Sequence, residues 1–576
     1  MSGARRHSRQ QQAGYSPRRL RVVLGALGVC VLVLGWRALD LQVLQHDFLA
    51  RQGDLRNLRT EPLAAHRGVI TDRANRPLAV STPVTTLWAN PREVLAAREQ
   101  WVKLSNNPVL SSRTLAQRVE ANAGREFIYL ARHLAPEQAQ QVLALRVPGI
   151  YALTEYRRYY PAGEVTSHLV GFTNIDDVGQ EGIELSMDNR LRGTPGRKKV
   201  VRDLHGRVIQ DIAVLEEAHP GSNVALSIDL RLQYLAYREL LAAVTRNRAA
   251  GGSAVVLDAR TGEVLAMVNQ PAYNPNNRSG VQTAALRNRA ITDVFEPGST
   301  IKPLTVAAAL ESGLVSVNST VDTRPGTIRV ANKTIRDHRN YGVIDITTVL
   351  TKSSNVGTTK LALAMEDQAL PAFMERFGLG TATGIPFPGE SDGMLPIRSR
   401  WRDIETAALS YGYGVSVTAL QLARAYAVIA NGGIKVPLSL EKVDQPPQGE
   451  RIISAAHASA LVSMLETVIS AEGTARRAKV PGYRVAGKTG TVHKLTAAGY
   501  ADDRYVALFA GIAPAENPRI VTVVVVDDPQ GRDYYGGLVA APVFGSIMAG
   551  VLRTLNIEPE QPVGTYAGVI DQEARL

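Results

Sequence analysis

The stretch GGSAVVLDARTGEVLAMV, residues 251 to 268, is interpreted as two alternating, strand-like runs on both sides of a turn at residues 258 to 262. Two alternating runs around a turn predict a β-hairpin. Near the other end of the chain, YVALFAGIAP (505–514) and RIVTVVVVDDP (519–529) form a second pair of strand-like runs. Strands from both ends of one unit, with helices between them, predict an α+β domain whose antiparallel sheet is covered by helices.

This α+β domain is predicted to begin near residue 220, where the composition of the chain changes. Composition shifts near residues 220 and 221, and SIDLRLQYLAYRELLAAV (227–244) then spaces apolar residues as a helix does, after a capping Asp229. A chain of 576 residues is too long for a single hydrophobic core. We therefore predict a C-terminal domain over 221–556, followed by a tail over 557–576.

The N-terminal region has the pattern of a membrane anchor. Six arginines precede VVLGALGVCVLVLGW (22–36), and no acidic residue occurs before Asp40. Extended to residue 39, the apolar run is long enough to span a bilayer at ~1.5 Å per residue. No small-x-small cleavage site follows it, and Val29 does not suit a lipoprotein site at Cys30. We predict an uncleaved helix over 22–39, with the basic residues 1–21 in the cytoplasm and the bulk outside.

Charge and cysteine content exclude several classes of protein. The formal net charge is +12, but the basic residues are scattered and form no zinc-finger, RNP or basic-zipper pattern, so no nucleic-acid partner is expected. A membrane surface or an anionic polymer fits this charge better. Cys30 is the only cysteine, which rules out disulfides within the chain and any cysteine metal site. We expect no metal and no cofactor.

The region over 40–220 shows no chemistry of its own. LDLQVLQHDFLARQ continues the anchor at helical spacing, and the residues that follow mix short strands with loops. They contain no nucleophile paired with a base and no metal cluster. Their chemistry alone predicts a spacer or a binding module.

The first catalytic candidate is FEPGSTIKP (295–303), which places Ser299 and Lys302 three residues apart. A second S-x-x-K at Ser439 to Lys442 alternates like a strand, where such residues point to opposite faces, so it is interpreted as a chance match. After Gly298, STIKPLTVAAALESG predicts a helix that ends at glycine and places both side chains on one face, with N–H groups available to an oxyanion. Alone, the pair is more typical of a capping serine and a solvated lysine.

Two later motifs change this interpretation. Ser353-Ser354-Asn355 precedes an apolar helical run, and Lys488-Thr489-Gly490-Thr491 lies on a strand-like segment before the terminal strand pair. S-x-N also occurs at residues 105–107 and 316–318, and a lone K-T-G is typical of a strand that ends in a glycine turn. The ordered set of three motifs within one unit is much harder to obtain by chance.

S-x-x-K, S-D-N and K-T-G form the signature of class A β-lactamases and penicillin-binding proteins. The chain has Ser-Ser-Asn in second place and no Glu-x-x-Leu-Asn, which favours a penicillin-binding protein. The chain also resembles class B penicillin-binding proteins of the septal FtsI type from residue 36 to about 555. The segments that carry this resemblance are RGVITDRANRPLA (67–79), RRYYPAGEVTSHLVGF (157–172), EGIE (181–184), DVFEPGSTIKP (293–303) and SYGYGVSVTALQLARAYAVIANGG (410–433).

The resemblance implies an anchor, an elongated pedestal domain related to penicillin-binding protein dimerisation domains over 40–220, and a transpeptidase domain of the serine β-lactamase fold over 221–556. It implies that Ser299 attacks the penultimate D-Ala carbonyl of a stem peptide and releases D-Ala, with Lys302 as the base. Lysine is ordinarily protonated at neutral pH, so burial and a second cation must lower its pKa.

The remaining roles also follow from the resemblance. Ser353 would relay a proton to the leaving amine, and Asn355 would bind a substrate amide or orient Lys302. Lys488 and Thr489, followed by Gly490, would meet the substrate carboxylate.

The backbone N–H groups of Ser299 and Thr491 would form the oxyanion hole. Tyr411 and Tyr413 would lie near the cleft, although such tyrosines are more often packing residues. His338 and His493 are expected to have no catalytic role.

The expected function is a D,D-transpeptidase that cross-links peptidoglycan stem peptides at the septum and is acylated by β-lactams. A D,D-carboxypeptidase, an elongation-type transpeptidase, a β-lactam sensor and a division scaffold are the alternatives. The expected location is the inner membrane, with the catalytic domain in the periplasm. The expected partners are an FtsW-type glycan polymerase and other divisome proteins.

Overall fold

The computed structural model describes residues 17–49, 58–105, 107–202, 208–496 and 499–560. The chain forms two compact units: the first contains residues 1–64, 85–153 and 195–218, and the second contains 65–84, 154–194 and 219–576. Most of the predicted basic tail and of the predicted C-terminal tail lies outside the described residues. The predicted domain boundary near residue 220 stays a prediction.

An apolar helix, Pro17–Leu39, contains the predicted anchor and continues into a wider turn at Asp40–Leu44. The most apolar 18-residue window of this span has a mean hydropathy of 2.2, and none of that window is buried. Among the described helices, Gly536–Thr554 is also long and apolar enough to cross a bilayer, but most of it is buried inside the second unit. Burial against protein explains its composition without a membrane.

The rest of the first unit combines a small sheet with short helices. Leu58–Leu63, Gly196–Arg202 and Val208–Glu216 form a three-stranded antiparallel sheet. The end of the strand Pro77–Ala89 pairs with Ile128–Leu134. The helical segments are Pro91–Ala96, Arg98–Leu104, Ser112–Glu120 and Pro136–Leu143, whose apolar faces pack into a core around Leu87, Trp101 and Leu115.

The second unit is built on a five-stranded antiparallel sheet. Its strands, in spatial order, are Val264–Gln270, Gly251–Asp258, Ile520–Asp527, Gly499–Ala513 and Ala486–Thr496. The predicted hairpin at residues 251 to 268 is confirmed by the pairing of the first two strands. The predicted pair at 505 to 529 is confirmed as well.

Helices cover this sheet and bury its apolar side chains. The main ones are Leu230–Arg246, Lys302–Glu311, Ile346–Thr351, Asn355–Leu363, Ala369–Arg376, Asp403–Ser410, Ala419–Ala430, Ala455–Thr467 and Gly536–Thr554. Asp229 caps the first of them, because its side chain accepts a hydrogen bond from Arg231 N, as the sequence predicted. Phe544 packs on Phe509 of the sheet, with ring centroids 4.7 Å apart.

Shorter segments of the second unit complete the fold. These strands and helices are Ile70–Thr71, Phe172–Thr173, Gly179–Glu181, Val224–Ala225, Thr320–Asp322, Thr327–Val330, Lys333–Arg336, Val343–Asp345, Ser167–Val170, Gly182–Ser186, Asp188–Leu191 and Arg289–Thr292. The strand Ile150–Tyr159 begins in the first unit and ends in the second. The hairpin formed by Thr327–Val330 and Lys333–Arg336 is adjacent to the candidate active site.

Candidate active site

Ser299 lies in a 3-10 turn, Gly298–Ile301, that leads into the helix Lys302–Glu311. The sequence predicted a continuous helix from Ser299. The first turn is tighter because Pro303 has no N–H to bond Ser299 O, and Lys302 N–H donates to Ser299 O instead. Side chains three residues apart eclipse in a 3-10 turn, so Ser299 and Lys302 still share one side.

Two glycines allow other segments to approach this turn closely. A Cβ added to Gly490 would lie 3.0 Å from Pro297 O, so the K-T-G strand passes the turn closely and a larger residue here would require its neighbours to move slightly. Gly412, at φ +89°, accepts a hydrogen bond from Gly298 N at 3.1 Å, and a Cβ there would lie 2.1 Å from Gly298 O. Both segments thereby fix the position of the turn Gly298–Ile301, called the nucleophile turn here after the expected role of Ser299.

The Lys302 side chain is fully buried and reaches the second motif. Its Nζ donates to Ser353 O at 2.5 Å, to Ser353 Oγ at 3.1 Å and to Asn355 Oδ1 at 2.7 Å. Within the described part of the chain, no hydrogen bond joins Lys302 Nζ to Ser299 Oγ. Catalytic hydrogen bonds often tighten only when substrate binds, so this separation is compatible with a base role.

Ser353 links the second and third motifs. Buried Lys488 donates from Nζ to Ser353 Oγ at 3.0 Å, so one hydroxyl lies between two lysine amino groups. Ser353 has φ +58°, in the left-handed region, where a residue with a side chain is strained. Strain of this kind is characteristic of functional sites held by their surroundings.

The electrostatics of the cluster favour neutral lysines. Burial, and then the nearby charge of Lys488, lower the pKa of Lys302 well below its ordinary value, while Asp337 acts in the opposite direction. Burial lowers the pKa of Lys488 to about 7. A neutral amine can accept a proton, so the arrangement can supply a general base.

Asp337 is a site residue that the sequence reasoning missed. Its carboxylate accepts hydrogen bonds from Ser354 Oγ at 2.5 Å, Asn355 N at 2.6 Å and Val356 N at 3.0 Å. It therefore holds the S-x-N turn at the start of the helix Asn355–Leu363. No motif surrounds Asp337, and only the fold brings it to residues 354 to 356.

Ser299, Ser353 and Asn355 line one cleft of about 540 Å³. The side of the cleft formed by the K-T-G strand contains Thr489, whose Oγ1 lies 2.9 Å from Thr474 Oγ1, and Thr491, whose Oγ1 accepts from Gly536 N at 2.9 Å. The predicted residues Ser299, Ser353, Asn355, Tyr411, Tyr413, Thr489 and Thr491 all line the cleft. Lys302, Lys488 and Gly490 are buried behind it.

The cleft also contains residues that were missed or judged to have no role. Thr474, Tyr505, Tyr534 and Tyr535 line it, as do His338 and His493. None of the four missed residues belongs to a motif, so sequence gave no signal for them. The other S-x-x-K, at residues 439 to 442, does not line the cleft. Its Ser439 Oγ donates instead to Glu441 O at 2.7 Å. In the described ranges, no group of three or more His, Cys, Asp or Glu side chains could hold a metal ion.

Comparisons with known families agree with this fold and site. A family model described as the penicillin binding protein transpeptidase domain matches residues 252–549, and one described as the penicillin-binding protein dimerisation domain matches 62–226. The class is therefore that of the penicillin-binding proteins with an N-terminal dimerisation domain, and the predicted fold class is confirmed.

Similar proteins show to which type of penicillin-binding protein the chain belongs. The chain is 48% identical over 96% of its length to the peptidoglycan D,D-transpeptidase FtsI of Escherichia coli, of which it covers 94%. It is 40% identical to a probable peptidoglycan D,D-transpeptidase PenA of Neisseria gonorrhoeae, over 95% of both chains. The chain belongs to the FtsI type of the class B penicillin-binding proteins, as the motifs indicated.

A solved structure supports the same assignment. Penicillin-binding protein 3 of Mycobacterium tuberculosis, complexed with aztreonam, is 30% identical, with a TM-score of 0.68. The match covers 87% of this chain and 99% of that one. The likeness therefore extends over both matched family domains and beyond the catalytic motifs alone.

Proposed function

We propose that this chain cross-links peptidoglycan stem peptides as a D,D-transpeptidase, through an acyl-enzyme on Ser299. The observation that carries the proposal is the position of Ser353 Oγ, 3.1 Å from Lys302 Nζ and 3.0 Å from Lys488 Nζ. Both lysines have a lowered pKa. A hydroxyl between two such amines can pass a proton in either direction.

Acylation begins when neutral Lys302 takes the proton of Ser299. The freed Oγ attacks the carbonyl of the penultimate D-Ala, and the backbone N–H groups of Ser299 and Thr491 stabilise the oxyanion. The proton on Lys302 then moves through Ser353 Oγ to the nitrogen of the terminal D-Ala, whose bond to the carbonyl breaks. The amine of a second stem peptide attacks the ester and returns its proton by the reverse route.

Lys488 and Thr489 are proposed to bind the terminal carboxylate of the donor, and Asn355 to bind its backbone amide. Lys488 is buried and its pKa is lowered to about 7, so an arriving carboxylate favours its protonated form. Thr489 lines the cleft and supplies a hydroxyl. Tyr411 and Tyr413 are proposed to pack against the substrate, while Gly490 leaves room for the nucleophile turn.

The proposal includes a location for the chain in the cell and an orientation in the membrane. The helix over 22–39 would anchor it in the inner membrane, with residues 1–21 in the cytoplasm and the pedestal (40–220) and transpeptidase domain (221–556) in the periplasm. The exposed apolar helix Pro17–Leu39 and the six arginines that precede residue 22 support this orientation. An FtsW-type polymerase and other divisome proteins are the proposed partners, since the chain is similar to a peptidoglycan D,D-transpeptidase named FtsI.

Labelling of the full-length protein with a fluorescent penicillin tests the proposal. Intact mass and peptide mapping should place the adduct on Ser299, and Ser299→Ala should abolish it. Incubation of the wild type with stem peptides should then give amide-linked dimers. Hydrolysis without dimers would indicate a carboxypeptidase, and acylation without any peptide turnover would indicate a sensor. A folded wild type that takes up no penicillin would exclude the catalytic proposal and favour a scaffold.

A further inference from the structure

A second groove, of about 710 Å³, opens beside the active-site cleft in the same unit. The two share Asn355, Tyr411 and Tyr413. The groove's other walls come from the strand Lys333–Arg336 and from residues between 396 and 414. A peptide bound at Ser299 can therefore continue into the groove past these three shared residues.

The groove carries an excess of positive charge. Lys333 and Arg336 are exposed, and neither forms an ion pair with a residue in the described ranges. Arg398 and Arg402 share a single carboxylate, Glu405, at 3.3 and 2.5 Å. The lining thus has four cations and one acid, which suits a ligand that carries carboxylates.

Aromatic rings form another part of the lining. Tyr413 packs on Tyr411 and on Tyr500, with ring centroids 5.8 and 6.0 Å apart. Arg398 lies over the ring of Trp401 at 5.7 Å. Rings of this kind pack against peptide backbone and aliphatic side chains, while the cations bind acidic groups.

The position of the catalytic groups sets the direction of the peptide. The terminal carboxylate is proposed to bind Lys488 and Thr489, and neither residue lines the groove. Asn355 Nδ2 donates to Arg336 O at 3.1 Å, so the proposed amide-binding side chain lies against the strand with the two unpaired cations. The part of the donor that precedes the scissile bond must leave the cleft away from its terminal carboxylate, and the groove begins there.

We propose that this groove binds the acidic, amino-terminal part of the donor stem peptide, with Lys333 and Arg336 as the groups that hold its carboxylates. The inference rests on the proposed transpeptidase function, because that function supplies the peptide and its direction. It makes the strand Lys333–Arg336 a specificity element: donors with a free carboxylate bind better than donors in which that group is an amide.

Two synthetic peptides test the inference with the full-length protein in detergent micelles. They are acetyl-L-Ala-γ-D-Glu-L-Lys(Nε-acetyl)-D-Ala-D-Ala and its D-isoglutamine counterpart, which differ in one carboxylate. The readout is the peptide concentration that halves the rate of fluorescent-penicillin labelling. The wild type should prefer the acidic peptide by about fivefold, the size expected for exposed ion pairs. The preference should shrink as salt is added.

The double variant Lys333→Gln/Arg336→Gln should lose this preference while it reacts with penicillin alone at the wild-type rate. The matched control, Arg246→Gln/Lys479→Gln, removes two exposed charges that line neither the cleft nor the groove and should keep the preference. No preference in the wild type, or an equal loss in the control, would overturn the inference.

A third outcome separates the donor from the acceptor. If Lys333→Gln/Arg336→Gln keeps the preference but transfers less of the acyl group to an added amine, the groove serves the second peptide and the donor assignment is wrong. Because penicillin labelling without peptide is measured for every variant, failure of the proposed function shows there. That failure is thereby distinguishable from failure of the groove inference.

Discussion

The hydroxyl of Ser353 is the point at which the three motifs meet. Lys302 and Lys488 both donate to it, and two protonated lysines this close would repel each other. Burial lowers the pKa of both amines and the charge of Lys488 lowers that of Lys302 further, whereas Asp337 draws the pKa of Lys302 back upward. If Lys302 is the base, as proposed, the reactivity of Ser299 therefore depends on the charges of residues 337 and 488 as well.

Lys302→Arg should lower the rate constant for penicillin acylation by about 10²- to 10⁴-fold, the usual contribution of a general base. The guanidinium stays protonated throughout the assay range and cannot accept the proton of Ser299, because its pKa lies far above that range. The rate is measured by quenched labelling and gel fluorescence. Lys494→Arg is the matched control, since this lysine lies on the K-T-G strand but pairs with Asp527 at 2.6 Å. Wild-type acylation by Lys302→Arg would assign the base elsewhere.

Asp337→Asn should shift the acidic side of the pH profile of penicillin acylation, where the rate falls as Lys302 is protonated, to lower pH. The carboxylate raises the pKa of Lys302, so its removal lowers that pKa, and the neutral amine then persists to lower pH. The maximal rate should also fall, by about tenfold, because the turn at residues 354 to 356 loses its charged acceptor.

The measurement is the rate of penicillin labelling between pH 5 and 9. Asp345→Asn is the control, because Asp345 also caps a helix, accepting from Thr348 N at 2.6 Å, but is not among the charges that shift the pKa of Lys302. An acidic side of the profile that stays in place in Asp337→Asn, or that moves equally in both variants, would contradict the electrostatic role.

Close backbone contacts bring the three motif-bearing elements together. The nucleophile turn is approached closely at Gly412 and Gly490, where glycine leaves the most room. Pro303 sets the 3-10 geometry of the first turn, and Ser354 begins the helix Asn355–Leu363 by accepting from Gly357 N at 2.8 Å. Gly412 and Gly490 then let neighbouring segments touch the nucleophile turn. Each element is specified locally, but its catalytic position depends on these close approaches.

Gly412→Ala should destabilise the protein far more than Gly414→Ala. Both glycines have positive φ, +89° and +76°, so alanine at either costs roughly 1–2 kcal/mol of backbone strain. A Cβ at residue 412 would also lie 2.1 Å from Gly298 O, whereas nothing lies within 4 Å of a Cβ at 414. In Gly412→Ala, both the melting temperature and the rate of penicillin acylation should fall. Equal effects of the two substitutions would mean that the contact with Gly298 does not matter.

The second unit contains a buried ion cluster that residues from three of the quoted sequence segments form. Glu184 of EGIE accepts from Arg67 Nε at 2.7 Å and from Arg158 Nε at 2.6 Å, and Arg67 also binds Asp188 at 2.7 Å. Arg67, Arg158 and Glu184 are all buried. These residues have no place in the cleft, so the segments around them carry the fold of the unit and not its chemistry.

Glu184→Gln should lower the free energy of unfolding by about 3–5 kcal/mol, because it leaves two buried arginines without their shared carboxylate. Urea unfolding of the full-length protein in micelles measures the change. Glu441→Gln is the control: it breaks an exposed pair with Arg190 at 2.8 Å and should have little effect. Similar unfolding curves for the two variants would show that the buried cluster does not stabilise the unit.

Patterns that act over a few residues were readable in the sequence. The hairpin at 251 to 268, the helix capped by Asp229, the apolar N-terminal helix and the order of the three motifs depend on periodicity and on neighbouring residues. They were enough to indicate an α+β transpeptidase and to select Ser299, Lys302 and Lys488.

Other properties were decided only by tertiary structure. These are the direction of the Lys302 side chain, the left-handed backbone of Ser353, the capping by Asp337 and the burial of the helix Gly536–Thr554. Each depends on contacts between residues far apart in the chain. Local propensity does not specify such contacts, because they form only when the packed sheet and helices bring those residues together.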